Sequence, residues 1–257
     1  MNKKNLVLIH GWGASSWVWQ GVCQHLSDEF NICAIDLPGY AQIADQGARN
    51  IQQIAEYILT MMIQKGLKES VVIGWSLGGL IARQVTMMAR KQRVRGLITI
   101  ASPPYFVKEN GWNGLNPQQL LAFQQVFAGA ETDAGIADIL RLKQRFCALQ
   151  IQGGYKPANF MVWAKRFVAE KVASTALNLG LEILATADFR ALECDFIQPQ
   201  LHLYGEYDRI ALLTLPYYQT MGLDYQVITG AAHLPLLTHV HELAAWIRIL
   251  SNDKTTV

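Results

Sequence analysis

The sequence is poor in charged residues and has no long hydrophobic run. Charged residues make up 16% of the 257 residues and hydrophobic residues 51%, which excludes a disordered chain and predicts a large buried core. The first apolar run, Leu6–Ile9, is shorter than the roughly 7–15 apolar residues of a secretory signal or the ~20 of a membrane span. We therefore expect a soluble cytoplasmic protein that does not associate with membranes.

Metal-binding and dinucleotide-binding patterns are missing as well. The four cysteines are scattered and include no CxxC pair: Cys23, Cys33, Cys147 and Cys194. A chain of this length does not need disulfides, so reduced thiols are expected. No His/Cys/Asp cluster has metal-ligand spacing, and the segment HGWG at His10–Gly13 lacks the GxGxxG pattern of a dinucleotide site. The sequence therefore predicts no metal and no cofactor.

Short apolar runs alternate with longer amphipathic segments, which predicts a parallel sheet flanked by helices. The predicted strands are Leu6–Ile9, Asn31–Ile35, Val71–Gly74, Leu97–Ala101, Gln200–Tyr204 and Tyr225–Ile228. The runs up to Ala101 do not alternate apolar with polar residues, as in strands buried on both faces. The predicted helices between and after them are Ser16–Leu26, with Ser15 or Ser16 as its cap, Ala48–Ile63, Leu77–Ala89 and His239–Leu250.

No strand is predicted between about Phe106 and Arg190. Helical patterns fill this stretch instead, at Pro117–Ala128, Gly135–Leu149, Ala158–Ala169 and Ser174–Ala185. We therefore predict an α/β core formed by residues 1–105 and 191–257, with residues 106–190 inserted between two core strands as a helical cap.

The segment Gly74-Trp75-Ser76-Leu77-Gly78 is the sharpest local signal for chemistry. It fits the G-x-S-x-G nucleophile elbow, and it lies between a predicted strand and an amphipathic helix, as that motif requires. The glycines allow strand and helix to approach closely around a strained serine. The competing interpretation is a glycine-rich turn whose serine only caps the helix, but the context favours Ser76 as a nucleophile.

A serine nucleophile needs a base that is oriented by an acid, in the chain order Ser, Asp/Glu, His. His233 follows the last predicted strand, at the carboxyl edge where ligands bind in open α/β sheets. Asp208 follows the preceding strand, and Glu206 is its main competitor. The remaining histidines fit less well, because they precede the serine, lie within a strand or lie on the last helix: His10, His25, His202, His239 and His241.

The oxyanion formed on an attacked carbonyl requires backbone N–H donors. We expect one donor at Leu77, directly after the serine. The other is expected at Trp12, since Gly11 and Gly13 on either side of it let the backbone approach a substrate.

Several motifs together resemble the α/β-hydrolase superfamily along essentially the full chain. They are LVLIHGWG, DLPG at Asp36–Gly39, IGWSLGGLIA, LYGEYD and GAAH. Within that superfamily, HGWG and GWSLGG, together with Phe146–Gln150 and Gly180–Leu184, resemble the pimeloyl-[acyl-carrier protein] methyl ester esterases of biotin synthesis. After DLPG the chain departs from the pattern, because Tyr40-Ala41-Gln42 stands where a glycine and a serine are common.

The resemblance implies roles for individual residues. It implies a catalytic triad of Ser76, Asp208 and His233, with Trp12 and Leu77 as oxyanion donors and substrate contacts. It also places five residues along the acyl chain of the substrate: Phe146, Cys147, Ala148, Leu149 and Gln150. The substrate would be an ester carried on an acyl carrier protein.

Positive charge is concentrated in the predicted cap. The whole chain is nearly balanced, with 22 Lys+Arg against 20 Asp+Glu, which argues against a nucleic acid partner. Between Arg141 and Lys171, however, seven Lys or Arg residues face only Glu170. Arg141 and Arg145 share one helix face, beside an apolar stripe of Leu142, Phe146 and Leu149. The pattern favours docking of an acidic carrier protein outside and an acyl tunnel inside, although a solvated face is the common alternative.

Other functions on the same core remain open. One group comprises a short-chain carboxylesterase, a C–C bond hydrolase and a hydrolase of the menaquinone pathway. A dehalogenase is disfavoured, because it would carry aspartate at the position of Ser76. A non-catalytic receptor or scaffold of this fold is the alternative of another class. We expect a monomer in each case.

Overall fold

The computed structural model describes residues 3–89, 93–130, 132–196 and 198–252. Its strands form one sheet in which every neighbouring pair is parallel, in the order β2-β1-β3-β4-β5-β6. The strands are β1 (Lys4–Ile9), β2 (Phe30–Ile35), β3 (Ser70–Trp75), β4 (Val94–Ile100), β5 (Gln200–Gly205) and β6 (Tyr225–Ile228). The predicted parallel α/β architecture is confirmed.

Burial along the strands explains their composition. Strand β3 is buried at every position, as expected for an apolar run covered by helices on both faces. The same expectation is wrong for β2, which lies at the sheet edge and is largely half-buried. There the exposed Asn31 side chain donates to Asn5 Oδ1 on β1 at 2.7 Å.

The helices of the sheet region include those predicted there, close to their predicted bounds, and two that were not predicted, Leu215–Met221 and Pro235–Thr238. They are α1 (Gln20–Leu26), α2 (Ile51–Gln64), α3 (Leu77–Met88), α8 (Leu215–Met221), α9 (Pro235–Thr238) and α10 (Val240–Asn252). The predicted helix from Ser16 starts instead with a 3₁₀ turn, and Ser15 makes no capping hydrogen bond. Ser15 nevertheless stands at the N-cap position of this turn, as predicted, while the Ser16 amide and hydroxyl donate to Asp36 at 2.5 and 3.1 Å.

In the described part of the chain between β4 and β5, four α-helices follow one another. They are α4 (Pro117–Gln125), α5 (Asp133–Leu149), α6 (Phe160–Ala169) and α7 (Ser174–Thr186), and we call residues 106–190 the insertion. Phe146, Phe167 and Leu177 of the insertion belong to the same hydrophobic cluster as the strands. The insertion therefore packs directly on the sheet region, and its status as a separate cap stays a prediction. Among the described helices, none is long and apolar enough to cross a bilayer.

Candidate active site

Ser76 lies in a strained turn between β3 and α3. Its φ of 56° and ψ of −122° are rare for a residue with a side chain, and such strain costs about 1–3 kcal/mol. A Cβ on Gly74 would lie 2.1 Å from the Gly78 carbonyl oxygen, and one on Gly78 would lie 2.3 Å from that of Ile9. Only glycine fits at these two positions. The Ser76 side chain makes no capping hydrogen bond to α3, so the interpretation as a simple helix cap is wrong.

A chain of hydrogen bonds connects Ser76, His233 and Asp208. Ser76 Oγ lies 2.9 Å from His233 Nε2, and His233 Nδ1 lies 2.9 Å from Asp208 Oδ2. A carboxylate accepts, so Nδ1 carries the ring proton and Nε2 is the acceptor that faces the serine hydroxyl. Asp208 is itself fixed, because its Oδ1 accepts from the amides of Ile210 and Ala211 at 2.8 and 2.9 Å. This arrangement can deprotonate a serine.

Glu206, the competitor for the acid, has a different contact. Its exposed carboxylate accepts the Gly230 N–H at 2.8 Å. The bond supports the loop that carries His233, whereas both carboxylate oxygens of Asp208 lie within 3.1 Å of His233 Nδ1. Asp208 is therefore the partner of the histidine.

The site is closed to solvent. The exposed fractions are 2% for Ser76, 6% for Asp208 and 0% for His233. Phe146 from α5 covers the site, with its ring centroid 6.5 Å from that of His233 and 5.1 Å from that of Trp12.

The loop after β1 runs against the nucleophile. A Cβ on Gly11 would lie 3.1 Å from Ser76 Cβ. The Trp12 indole N–H donates to the Leu177 carbonyl of α7 at 2.8 Å, which ties this loop to the insertion. The backbone amides of Trp12 and Leu77 donate to no protein acceptor within the described part of the chain, so both are available to a ligand.

The five residues that the resemblance places along the acyl chain differ in exposure. Phe146, Cys147 and Gln150 are buried, Leu149 is half-buried and Ala148 is exposed on the opposite face of α5. Burial raises the pKa of the Cys147 thiol to about 11, which keeps it protonated at neutral pH. Both side-chain polar atoms of Gln150 are buried without a hydrogen-bond partner among the described residues.

The positive charges of the insertion do not all face solvent. Lys143 is 3% exposed, and its Nζ donates to the carbonyls of Val168 and Glu170 at 3.0 and 2.8 Å. Burial lowers the pKa of Lys143 to about 8. Arg141 and Arg145 are exposed, and Arg141 pairs with Asp138 one turn earlier on α5. The exposed positive surface is thus smaller than the count along the sequence indicates.

A cavity of about 600 Å³ lies between the loop of residues 39–45 and the insertion. It is lined by Ile136, Ile139 and Lys143 of α5, among others, and by Leu177. No triad residue lines it. The predicted tunnel stripe of Leu142, Phe146 and Leu149 lies on a different face of α5 from this lining.

No catalytic role was expected for His10 or His202, and the structure places the two side chains in different surroundings. His202 is buried in the core, where its Nδ1 lies 2.8 Å from Thr99 Oγ1, as expected of a core histidine. His10 is also buried, but it contacts the loop that holds Trp12. Its position directly before Gly11 and Trp12 is the sequence signal that could have identified it.

Comparisons with known proteins agree with this geometry. The chain matches the α/β-hydrolase fold family over residues 4–240. The pimeloyl-[acyl-carrier protein] methyl ester esterase of Yersinia pseudotuberculosis is 34% identical over 251 residues, which cover 95% of this chain and 91% of that protein. The protein of the same name from Pectobacterium carotovorum is 35% identical over 240 residues, covering 91% and 89%.

Solved structures show the same fold at lower identity. An esterase from Exiguobacterium antarcticum superposes with a TM-score of 0.85 at 16% identity, covering 98% of this chain and 93% of that one. An enol-lactonase from Burkholderia xenovorans gives a TM-score of 0.82, also at 16% identity and with the same coverage. The chain therefore belongs to the α/β-hydrolase fold family and, within it, to the family of the pimeloyl-[acyl-carrier protein] methyl ester esterases.

Proposed function

We propose that the protein is a serine carboxylesterase that hydrolyses the methyl ester of pimeloyl-[acyl-carrier protein]. The products are pimeloyl-[acyl-carrier protein] and methanol, and the reaction supplies a precursor of biotin. The hydrogen-bonded chain Ser76–His233–Asp208 carries the proposal, since it occurs in a sequence that aligns with relatives of that name over 95% of its length.

In the first half of the reaction, Ser76 Oγ attacks the ester carbonyl while its proton passes to His233 Nε2. Asp208 stabilises the resulting imidazolium and keeps the ring oriented. The Trp12 and Leu77 amides hold the oxyanion. When the tetrahedral intermediate collapses, the bond to the methoxy group breaks, and His233 returns its proton to the departing methanol.

In the second half, a water molecule replaces the alcohol. His233 takes a proton from the water as it attacks the acyl-enzyme carbonyl, and Ser76 leaves with that proton. The water provides one OH to the acid and one hydrogen to the serine. These steps need neither a metal nor an organic cofactor.

The insertion supplies substrate recognition in this proposal. Phe146, Leu149 and Gln150 lie along the acyl chain, together with Trp12 and Leu77 near the reacting carbonyl. Arg141 and Arg145 meet acidic residues of the carrier protein, which is a cytoplasmic partner of a monomeric enzyme. Because both arginines are exposed, they act mainly on the rate of association.

Complementation tests the proposed function. A bacterial strain that needs biotin because it lacks its own pimeloyl-[acyl-carrier protein] methyl ester esterase is given this chain or the Ser76→Ala variant. We expect the unaltered chain to restore growth without biotin and the variant to fail at equal protein level. If the chain hydrolyses small p-nitrophenyl esters but does not restore growth, it is a general carboxylesterase instead.

A further inference from the structure

His10 is a buried ionisable residue next to the active site that the triad does not use. It directly follows β1 and is 0% exposed. Its Nε2 lies 3.1 Å from the Leu37 amide nitrogen, in the segment after β2, and its Nδ1 lies 3.0 Å from the Gly11 carbonyl oxygen. The ring therefore connects two loops at the carboxyl edge of the sheet.

The partners of the ring determine its tautomer. The Leu37 N–H can only donate, so Nε2 must accept, and Nδ1 must carry the proton that it donates to Gly11. If Nε2 carried a proton as well, that proton would point at the Leu37 N–H, which cannot accept it. Burial lowers the pKa of His10 to about 4, so one neutral tautomer is present near neutral pH.

The bond to Gly11 has a consequence for the next residue. The Gly11 carbonyl and the Trp12 N–H belong to one peptide group, which is trans, so they point in opposite directions. The Gly11 oxygen also accepts from the Ala14 amide at 3.3 Å. Two donors thus hold the carbonyl on one side of the loop, which directs the Trp12 N–H to the other side.

The side chains around this peptide leave it little freedom to rotate. The Trp12 indole is fixed to Leu177, and the His10 ring packs on Tyr40 with a centroid distance of 4.9 Å. Gly11 itself is in contact with Trp75 and Ser76, because a Cβ there would lie 2.9 Å from the Trp75 ring. The peptide that precedes Trp12 therefore lies beside the nucleophile in one orientation.

We propose that His10 is a positioning residue that orients the Gly11–Trp12 peptide, so that the Trp12 N–H is aimed at the oxyanion before substrate binds. This inference rests on the proposed role of Trp12 as an oxyanion donor. His10 itself touches neither the substrate nor the triad in this role. Its effect belongs to the transition state, since only there does the carbonyl oxygen carry the charge that the amide stabilises.

Two substitutions of similar size separate the two contacts of the ring. In His10→Asn the side-chain amide nitrogen falls near the position of Nδ1 and can donate to Gly11. In His10→Gln the amide oxygen falls near the position of Nε2 and can accept from Leu37, but the bond to Gly11 is lost. Both variants remove the imidazole equally.

The assay uses a p-nitrophenyl ester, so that it does not depend on the carrier substrate. We expect His10→Asn to keep kcat within about tenfold and His10→Gln to lose on the order of 10²–10³ in kcat with little change in KM, as for loss of one oxyanion donor. Binding of a trifluoromethyl ketone, whose serine adduct carries an oxyanion, should weaken by a similar factor in His10→Gln only.

Several results would overturn the proposal. Equal kcat losses in the two variants, or unchanged ketone binding in His10→Gln, would show that the Gly11 contact has no role in catalysis. Failure of His10→Asn to fold would show that the histidine serves the fold rather than the peptide. If the wild type cleaves the p-nitrophenyl ester but not the carrier methyl ester, the proposed function fails while the His10 comparison remains measurable.

Discussion

The sheet edge and the insertion contribute to one site in different ways. At the sheet edge, each reacting group has fixed partners: Asp208 accepts two backbone amides, and His233 contacts both Asp208 and Ser76. In the insertion, Phe146 covers the triad by ring contacts, and Arg141 and Arg145 are exposed, with Arg141 paired to Asp138 of the same helix. The reacting groups thus belong to a hydrogen-bonded network, whereas the residues proposed for recognition have few fixed polar partners. Substitutions in the two regions should therefore have different signatures.

The largest effect is expected at the nucleophile and the base. Ser76→Ala or His233→Ala should each lower kcat by about 10⁴–10⁶, because they remove groups that act as one unit. The loss should be equal for a p-nitrophenyl ester and for the carrier-bound methyl ester, measured by steady-state kinetics. The double variant should be hardly worse than either single one; additive losses would contradict a shared mechanism.

Substitution of the catalytic acid, Asp208, should give the next largest decrease in kcat. Asp208→Asn should lower kcat by about 10⁴, since the amide cannot hold the imidazole in the right tautomer. Glu206→Gln is the matched control, because its carboxylate contacts Gly230 rather than His233, and it should stay within about tenfold of wild type. The reverse ranking of the two variants would show that Glu206 is the acid.

Acid should destabilise the protein through two buried histidines of the sheet region. Burial lowers the pKa of both His10 and His202 to about 4 from 6.5, and the insertion contains no histidine. Between pH 6.5 and 4 the unfolded chain binds protons that the folded chain does not. The free energy of unfolding should therefore fall as pH decreases, by up to about 1.4 kcal/mol per pH unit for each histidine.

Urea unfolding at pH 7 and pH 5 measures this decrease. His202→Asn, which cannot be protonated, should show a smaller decrease than wild type. The same unfolding free energy at both pH values in the wild type would mean that the two buried rings titrate alike in the folded and unfolded chain.

Gly180 tests the contact between the two regions. A Cβ at this position of α7 would lie 2.8 Å from Trp12 Cδ1 and 3.1 Å from Leu77 Cδ2. Gly180→Ala should destabilise the protein by about 1–3 kcal/mol through overpacking, although alanine alone favours a helix by about 1 kcal/mol. It should also lower kcat for all esters. Glu182→Ala, on the exposed face of the same helix, is the control, and a more stable Gly180→Ala would disprove the tight contact.

The smallest effect is expected at the exposed arginines. Exposed ion pairs contribute about 0–1 kcal/mol each, so a single change should be mild. Arg141→Glu with Arg145→Glu reverses the local charge and should lower kcat/KM for the carrier substrate, less so at high salt. Hydrolysis of a small ester should be unchanged. Equal loss on both substrates would indicate a damaged insertion, and no loss on the carrier substrate would exclude docking there.

The sheet edge and the insertion also differ in how much of their structure could be predicted from the sequence. The elbow around Ser76 and the positions of Asp208 and His233 follow from short motifs at strand ends, because parallel strands bring their carboxyl ends to one edge. The inward position of Lys143 could not be predicted, since its partners are Val168, at the end of α6, and Glu170, directly after that helix. The edge position of β2 depends on strand order, and the contact of His10 with Leu37 depends on two loops meeting in space.

One measurement tests the central claim most directly. Purified methyl-pimeloyl-[acyl-carrier protein] is incubated with the enzyme, and the mass of the intact carrier is followed together with the release of methanol. The account predicts that the carrier loses the mass of one methylene group in step with methanol release, in wild type but not in Ser76→Ala. An unchanged carrier mass, or release of the acyl group from the carrier instead of methanol from the ester, would contradict it.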